Sequence, residues 1–253
     1  MRLKQLLRMT RLLPGFFASA VLTLAGLSAV DASADPAKPE PFVATYAASY
    51  RGIGAGKLTF TLKPAAGAGQ FVYETTADPS FLARLVVSGA AIERSTLHID
   101  EQGVRPLHWM LDDGKSSDAD DGVLTFDWQD NVVSGVVERE AIELPTQPGL
   151  QDRLSIQLSV MTSLMRGTEP GTIPLIDDNR IKHYTYTKTG EAVIDTALGS
   201  VETVIYESTR KGSSRVARFW MAPKFGYLPL RAEQKRKGKV ETVMVIEALE
   251  QTP

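Results

Sequence analysis

The sequence predicts a mainly β protein: an antiparallel, strongly curved sheet or half-barrel, barrel-like in outline, with one central helix. Three observations carry this. Short alternations of apolar and polar residues recur along most of the chain, the side-chain period of a half-buried strand. Turn signals such as Asp130-Asn131, Leu198-Gly199 and Lys237-Gly238 separate them at hairpin spacing. One segment, Leu150 to Arg166, breaks the alternation and takes the helical period instead.

In chain order, the first 34 residues read as an export signal. Arg2, Lys4, Arg8 and Arg11 form a basic start, Phe16 to Val30 an apolar stretch of 15 residues, and Ala32-Ser33-Ala34 a small-x-small cleavage site. The apolar stretch is shorter than the roughly 20 residues of a spanning helix, so the expectation is cleavage after Ala34, a periplasmic location and no transmembrane span afterwards. Residues 35–41 are a Pro-rich spacer. Residues 42–250 are expected to form a single β-rich domain.

Within that domain, Phe42, Ala44, Tyr46, Ala48 and Tyr50 share one face, and Leu58, Phe60 and Leu62 share one face of the next strand. Phe71 and Tyr73 follow a Gly-rich turn. Further strands are expected at 90–100, 104–111, 122–128, 132–138 and 140–144, then at 181–187, 191–196, 200–208, 215–222, 227–236 and 240–249. About a dozen antiparallel strands curl into a barrel-like shape or split into two layers. In the helical segment Leu150, Leu154, Leu158, Met161 and Met165 form one stripe, widened past half the circumference by Ile156, Val160 and Leu164. Such a helix belongs deep against the sheet, inside its concave side, and its mid-chain position suits a joint between two sheets.

The 253 residues carry 28 Lys+Arg against 30 Asp+Glu, with 43% hydrophobic residues and no cysteine. This excludes collagen, a coiled-coil rod and wholesale disorder. The missing cysteine removes lipid tethering through a lipobox, disulfides and thiolate metal sites. The three histidines form no His-x-His or His-x-x-x-His pair, though His98 and His108 lie on strands that a hairpin would bring together. No Gly-x-Ser-x-Gly elbow is present. Val193-Ile-Asp195-Thr-Ala197 resembles half of an aspartic-protease site, but that chemistry needs a second carboxylate motif, and a strand ending at a polar turn explains the same residues. The acidic run from Asp112 to Gly122 departs from calcium-loop spacing and reads as a solvated loop. No catalytic residue, metal ligand or cofactor is assigned.

Residues 205–240 hold ten basic residues against two acidic ones, Glu207 and Glu233. This stretch suits an anionic partner such as phospholipid headgroups. Alternatively, lysines at 235–239 guard an edge strand against aggregation. Nucleic acid is not expected as a partner of an exported acidic protein.

Gln151-Asp152-Arg-Leu154-Ser155 at the helix start, with Gly103-Val-Arg-Pro106, Phe126-Asp-Trp128, Tyr184-x-Tyr186, Gly190-Glu191, Gly199 and Trp220-Met-Ala-Pro223, resembles the exported-protein family called domain of unknown function 3108 of Gram-negative bacteria, over about residues 42–249. The resemblance implies an antiparallel barrel-like fold and supplies no reaction. In fold it is also similar, more loosely, to the periplasmic lipoprotein carriers of the Lol pathway, which implies acyl chains held beneath a helical lid.

The leading expectation is therefore a non-catalytic periplasmic protein that binds an apolar or amphiphilic envelope molecule; its protein partner, if any, is unassigned. Leu154, Leu158, Met161 and Met165 are the candidate ligand wall, with Arg215, Arg218 and Arg231 suited to an anionic headgroup at the rim. Gln151, Asp152, Ser155, Trp220 and Pro223 are expected to be structural. The alternatives are an envelope-polymer hydrolase using paired carboxylates and a structural scaffold.

Overall fold

A computed structural model describes residues 37–80, 91–115, 121–177 and 179–251. The expected export signal lies outside these residues. The described chain forms eight strands, β1 (Phe42–Tyr50), β2 (Ile53–Pro64), β3 (Gln70–Pro79), β4 (Ile92–Asp100), β5 (Gly103–Asp112), β6 (Gly122–Asp127), β7 (Val132–Val137) and β8 (Glu140–Pro145). Helix α1 (Ser155–Met165) follows. Six more strands complete the fold: β9 (Thr172–Asp177), β10 (Arg180–Thr196), β11 (Gly199–Thr209), β12 (Arg215–Ala222), β13 (Leu228–Arg236) and β14 (Lys239–Gln251).

All fourteen strands lie in one antiparallel sheet, in the order β8-β7-β6-β5-β4-β3-β2-β1-β14-β13-β12-β11-β10-β9. It is strongly curved and does not close into a barrel. Each strand pairs with its chain neighbour except at the centre, where β1 meets β14 with Phe42 opposite Gln251. The two outermost strands, β8 and β9, are joined in sequence by the segment carrying α1. The helix thus links the two edges of one sheet and is not a joint between two sheets.

Helix α1 lies in the concavity because its apolar residues span more than half its circumference. Ile156, Leu158, Val160, Met161 and Leu164 point in different directions and are all buried, while Ser159 and Ser163 form a narrow half-buried polar strip. They share one core with Phe42, Tyr46 and Leu62 from one wing of the sheet and Leu228, Leu230 and Ile246 from the other. A second, smaller core gathers Trp109, Leu124, Phe126, Val133, Ile142 and Leu150 against Ile176 of β9. Gly167, with φ 69°, ends the helix as its position in sequence suggests.

Three elements differ from the sequence expectation. The strands expected at 181–187 and 191–196 are one: β10 runs unbroken for 17 residues, and Gly190 marks a register shift between Lys188 and Gly190 opposite β11. Bulges of this kind use a small residue where a turn would also use one. The helix begins at Ser155, since Gln151 instead bridges Leu175 of β9 through its backbone. Strand β9 was not expected at all.

Candidate functional site

Three consecutive side chains fasten the entry of α1 to three strands. Gln151 donates its backbone N–H to Pro174 O of β9 (2.9 Å), accepts from Ile176 N–H (2.9 Å), and sends Nε2 to Val104 O of β5 (2.8 Å). Asp152 caps the helix: Oδ1 accepts the N–H groups of Leu154 and Ser155, both at 2.8 Å, and Oδ2 accepts the Ser95 hydroxyl of β4 at 2.6 Å. Ser155 Oγ returns a bond by accepting Asp152 N–H at 2.9 Å, a reciprocal arrangement of the capping-box kind. Arg153 donates Nε to Glu93 of β4 at 3.1 Å and lays its guanidinium 5.0 Å from the Trp109 ring centroid on β5. Trp109 Nε1 donates to the same Glu93 oxygen at 2.8 Å. Burial pushes the Asp152 carboxyl up to about 6, against the pull of its three hydrogen bonds.

Beside this anchored strap the described residues leave part of the concave face unfilled. A cavity of about 410 Å³ lies between the helix entry and the central strands, walled by Leu58, Phe60, Leu111, Phe219 and Met244. This volume falls among small-molecule sites, roughly 300–1,000 Å³. A smaller lobe of about 140 Å³ runs along Ile156, Val160, Tyr186 and Tyr206. Arg153, Gln157, Phe219 and Pro229 border both lobes, so the two form one groove. Its polar groups are few. Among the described residues lining it, Glu93 is the sole carboxylate. Arg153 uses only Nε on Glu93, leaving its remaining N–H groups for a ligand. The Thr75 hydroxyl is buried in the wall without a hydrogen-bond partner. The groove is thus apolar, with the Arg153–Glu93 ion pair on its border.

The candidate wall divides. Leu154 lines the larger lobe. Leu158 and Met161 are 0% and 1% exposed, packed in the core behind the groove, and Met165 sits at the far end of the helix beside Gly226. Arg215 is exposed at the start of β12. Arg218 and Arg231 flank Trp220, their guanidinium carbons 5.9 and 5.3 Å from its ring centroid, and pair with Glu207 and Glu233. Each adjoins a groove residue in sequence, Phe219 and Ala232, so strand alternation puts both arginines on the convex face. Pro223 opens a single 3-10 turn, Pro223–Phe225. Asp152 is 1% exposed with both oxygens bonded, so it is placed to hold the strap and not to meet a ligand.

His98 lies opposite Arg105 and His108 opposite Thr96, so the two imidazoles are not cross-strand partners. In the β5–β6 loop, the carboxylates of Asp112, Asp113 and Asp121 come within 4.8 Å of one another. Sequence reasoning missed Arg153, Glu93 and Gln157. Gln157 had a readable signal, as the one long polar side chain in a helix whose other polar residues, Ser155, Ser159, Thr162 and Ser163, are small.

The family model described as Protein of unknown function (DUF3108) matches residues 45–244. No curated protein matches the chain. Among solved structures the chain is similar to the beta-barrel-like protein of domain of unknown function DUF1849 from Brucella abortus, at 11% identity and a TM-score of 0.50, over 85% of this chain and 99% of that one. The MucA/MucB complex of Pseudomonas aeruginosa matches at 12% identity and a TM-score of 0.37, over 85% of this chain and 53% of that one. A protein of Bacteroides fragilis with a YmcC-like fold matches at 11% identity and a TM-score of 0.35, over 86% and 98%. The first of these shares the barrel-like fold.

Proposed function

The chain belongs to the DUF3108 family, whose description names no reaction, and from that premise we propose that it is a non-catalytic binding protein that holds an amphiphile with an acidic group in the groove beside α1. The observation that carries this reading is the apolar cavity of about 410 Å³ that the described residues leave open, with Arg153 on its border. Native cores pack without such voids, because empty space forfeits dispersion contacts. The hydrocarbon lies against Phe60, Leu58, Met244 and Phe219, and Met244 suits variable chains because its unbranched side chain repacks easily. The acidic group meets Arg153, whose position over Trp109 and against Glu93 is fixed before binding.

The reading includes export: the signal-like residues 1–34 are removed, and residues 42–250 work in the periplasm as one binding domain, where acidic amphiphiles are the material of the envelope. Native mass spectrometry of protein purified from periplasm tests both parts. We expect a co-purifying lipid and an N-terminus at Asp35. Protein that carries no amphiphile, and that fails to bind a fluorescent fatty-acid probe saturably, overturns the binding reading. An intact N-terminus in a membrane fraction overturns the export reading.

A further inference from the structure

One end of the sheet presents a second, separate feature. The β1–β2 and β13–β14 hairpins turn there side by side: Tyr50 pairs with Ile53 in one and with Thr242 of β14 in the other direction, and Arg51 N–H donates to Glu241 O at 2.6 Å. Exposed large apolar side chains gather at this end, with Tyr50, Ile53 and Val240 at 49%, 62% and 42% exposure. Basic residues surround them. Arg51 is ion-paired to Glu241 at 2.7 Å, and Arg215 and Arg236 also act on that carboxylate, holding it below its ordinary range together with Arg51. Arg236, Lys237 and Lys239 continue the cluster. Among the described residues, Arg215, Arg236, Lys237 and Lys239 have no ion-pair partner.

Edge protection does not account for these charges. Strands β13 and β14 lie mid-sheet between β12 and β1, while the edges are β8 and β9. Both tips are tight two-residue turns in which Arg51 (φ 50°) and Lys237 (φ 50°) take left-handed backbone ahead of Gly52 and Gly238. Asn, Asp or Gly adopts that conformation more readily than Arg or Lys. Long cations therefore stand at two turn tips where the backbone disfavours them, next to aliphatic and aromatic side chains that water also disfavours.

We propose that this end of the sheet docks on an anionic lipid bilayer surface, with Tyr50, Ile53 and Val240 entering the headgroup region and the surrounding arginines and lysines meeting lipid phosphates. Charge complementarity selects an anionic surface, and the interleaved apolar tips select a bilayer over a soluble polyanion. The placement also serves the groove: Met244 pairs with Ala48, two residues from Tyr50, so the larger lobe starts about 7 Å from the docking tip at strand rise. The docking does not depend on the groove reading.

Co-sedimentation with vesicles of phosphatidylglycerol and phosphatidylcholine, against vesicles of phosphatidylcholine alone, tests the proposal. We expect binding to the anionic vesicles, weakened as salt is raised. Lys237→Glu with Lys239→Glu should lower the partition coefficient by about tenfold or more. Tyr50→Ser with Ile53→Ser should lower it several-fold while leaving retention on heparin, a polyanion without an apolar phase, unchanged. All four positions are exposed at turns, and circular dichroism and Tm should match the parent protein. Ala232→Trp, which obstructs the groove, should leave vesicle docking intact, so failure of the groove reading is distinguished from failure of this one. Equal binding to both vesicle types overturns the proposal. So does vesicle binding that survives Tyr50→Ser with Ile53→Ser, which would mark the surface as a site for a soluble polyanion.

Discussion

Ser95 Oγ lies 2.6 Å from Asp152 Oδ2, so a strand of one wing of the sheet holds the side chain that starts the helix. The same carboxylate holds two helix N–H groups, which makes it a joint between secondary and tertiary structure. Removing it strands three buried donors at once. Asp152→Ala should therefore destabilise the protein by about 2–4 kcal/mol, above the ~1 kcal/mol of an ordinary exposed cap. Urea unfolding of the variant checks this. A loss at or below that of an ordinary cap would mean that Ser95 and the helix N–H groups find water instead.

Protonation of Asp152 gives stability a particular pH dependence. Its folded value of about 6 lies above the unfolded value of about 3.9, so the folded state binds the proton more tightly. That contribution is fully present below about pH 4, falls as pH rises through 6, and is flat above it. Relative to Asp152→Asn, the parent protein should lose stability between pH 4 and 7. Unfolding free energies of both proteins across that window measure it; a constant difference would show that the hydrogen bonds cancel burial, and a gain of stability with pH that they outweigh it.

Filling the groove and overfilling the core should be separable. Ala232 lines the larger lobe, so Ala232→Trp is expected to weaken a fluorescent fatty-acid probe by at least about tenfold with little change in Tm. Met161 is packed in the core, so Met161→Trp should instead cost about 1–3 kcal/mol of stability through overpacking. Equal probe affinity in parent and Ala232→Trp would place the ligand elsewhere.

Arg153 is expected to set headgroup preference. Arg153→Gln removes the cation while keeping a hydrogen-bonding side chain of similar reach. Affinity for a fatty-acid probe should fall about tenfold, and affinity for the corresponding neutral alcohol should change little. A titration of both probes against both proteins gives the answer directly.

Gly122 makes room for Trp109. A Cβ at that glycine would stand 2.7 Å from the indole ring, so Gly122→Val must displace the ring from Glu93 and Arg153. We expect about 1–3 kcal/mol of destabilisation and a shift in tryptophan emission. An unchanged spectrum would show that the indole has another rotamer available.

The sheet was readable because its strands are locally coded. Phe42, Ala44 and Tyr46 alternate inward, and Lys237-Gly238 turns the chain where the residues say it turns. The helix was readable for its stripe, and its apolar breadth signalled that it lies inside. What the sequence left open is what depends on distant partners. Leu150 matched the helical stripe, yet β9 claims the backbone of its neighbour Gln151, a choice set by an edge strand whose own Pro174 and Ile176 gave no clear strand signal. Trp220 looked the same whether it lined a cavity or not; its cover of Arg218 and Arg231 emerges only once β12 and β13 are in register. The groove itself is a matter of what fails to touch, and a one-dimensional pattern encodes contacts between neighbours far better than gaps between strangers.

The β1–β14 seam has a consequence for how such a chain assembles. Every other ladder joins strands adjacent in sequence, so two meanders of eight and six strands can form from short-range hairpins, each closing a small loop at little entropic cost. The pairing of Phe42 with Gln251 spans nearly the whole described chain, and loop-closure entropy makes it the expected slow, late step. It also brings the ends of the sheet's chain together. A circular permutant that links Gln251 to Phe42 by a short turn and opens the chain at an exposed hairpin turns that seam into one more local hairpin. Such a protein should fold faster than its parent while keeping the same groove.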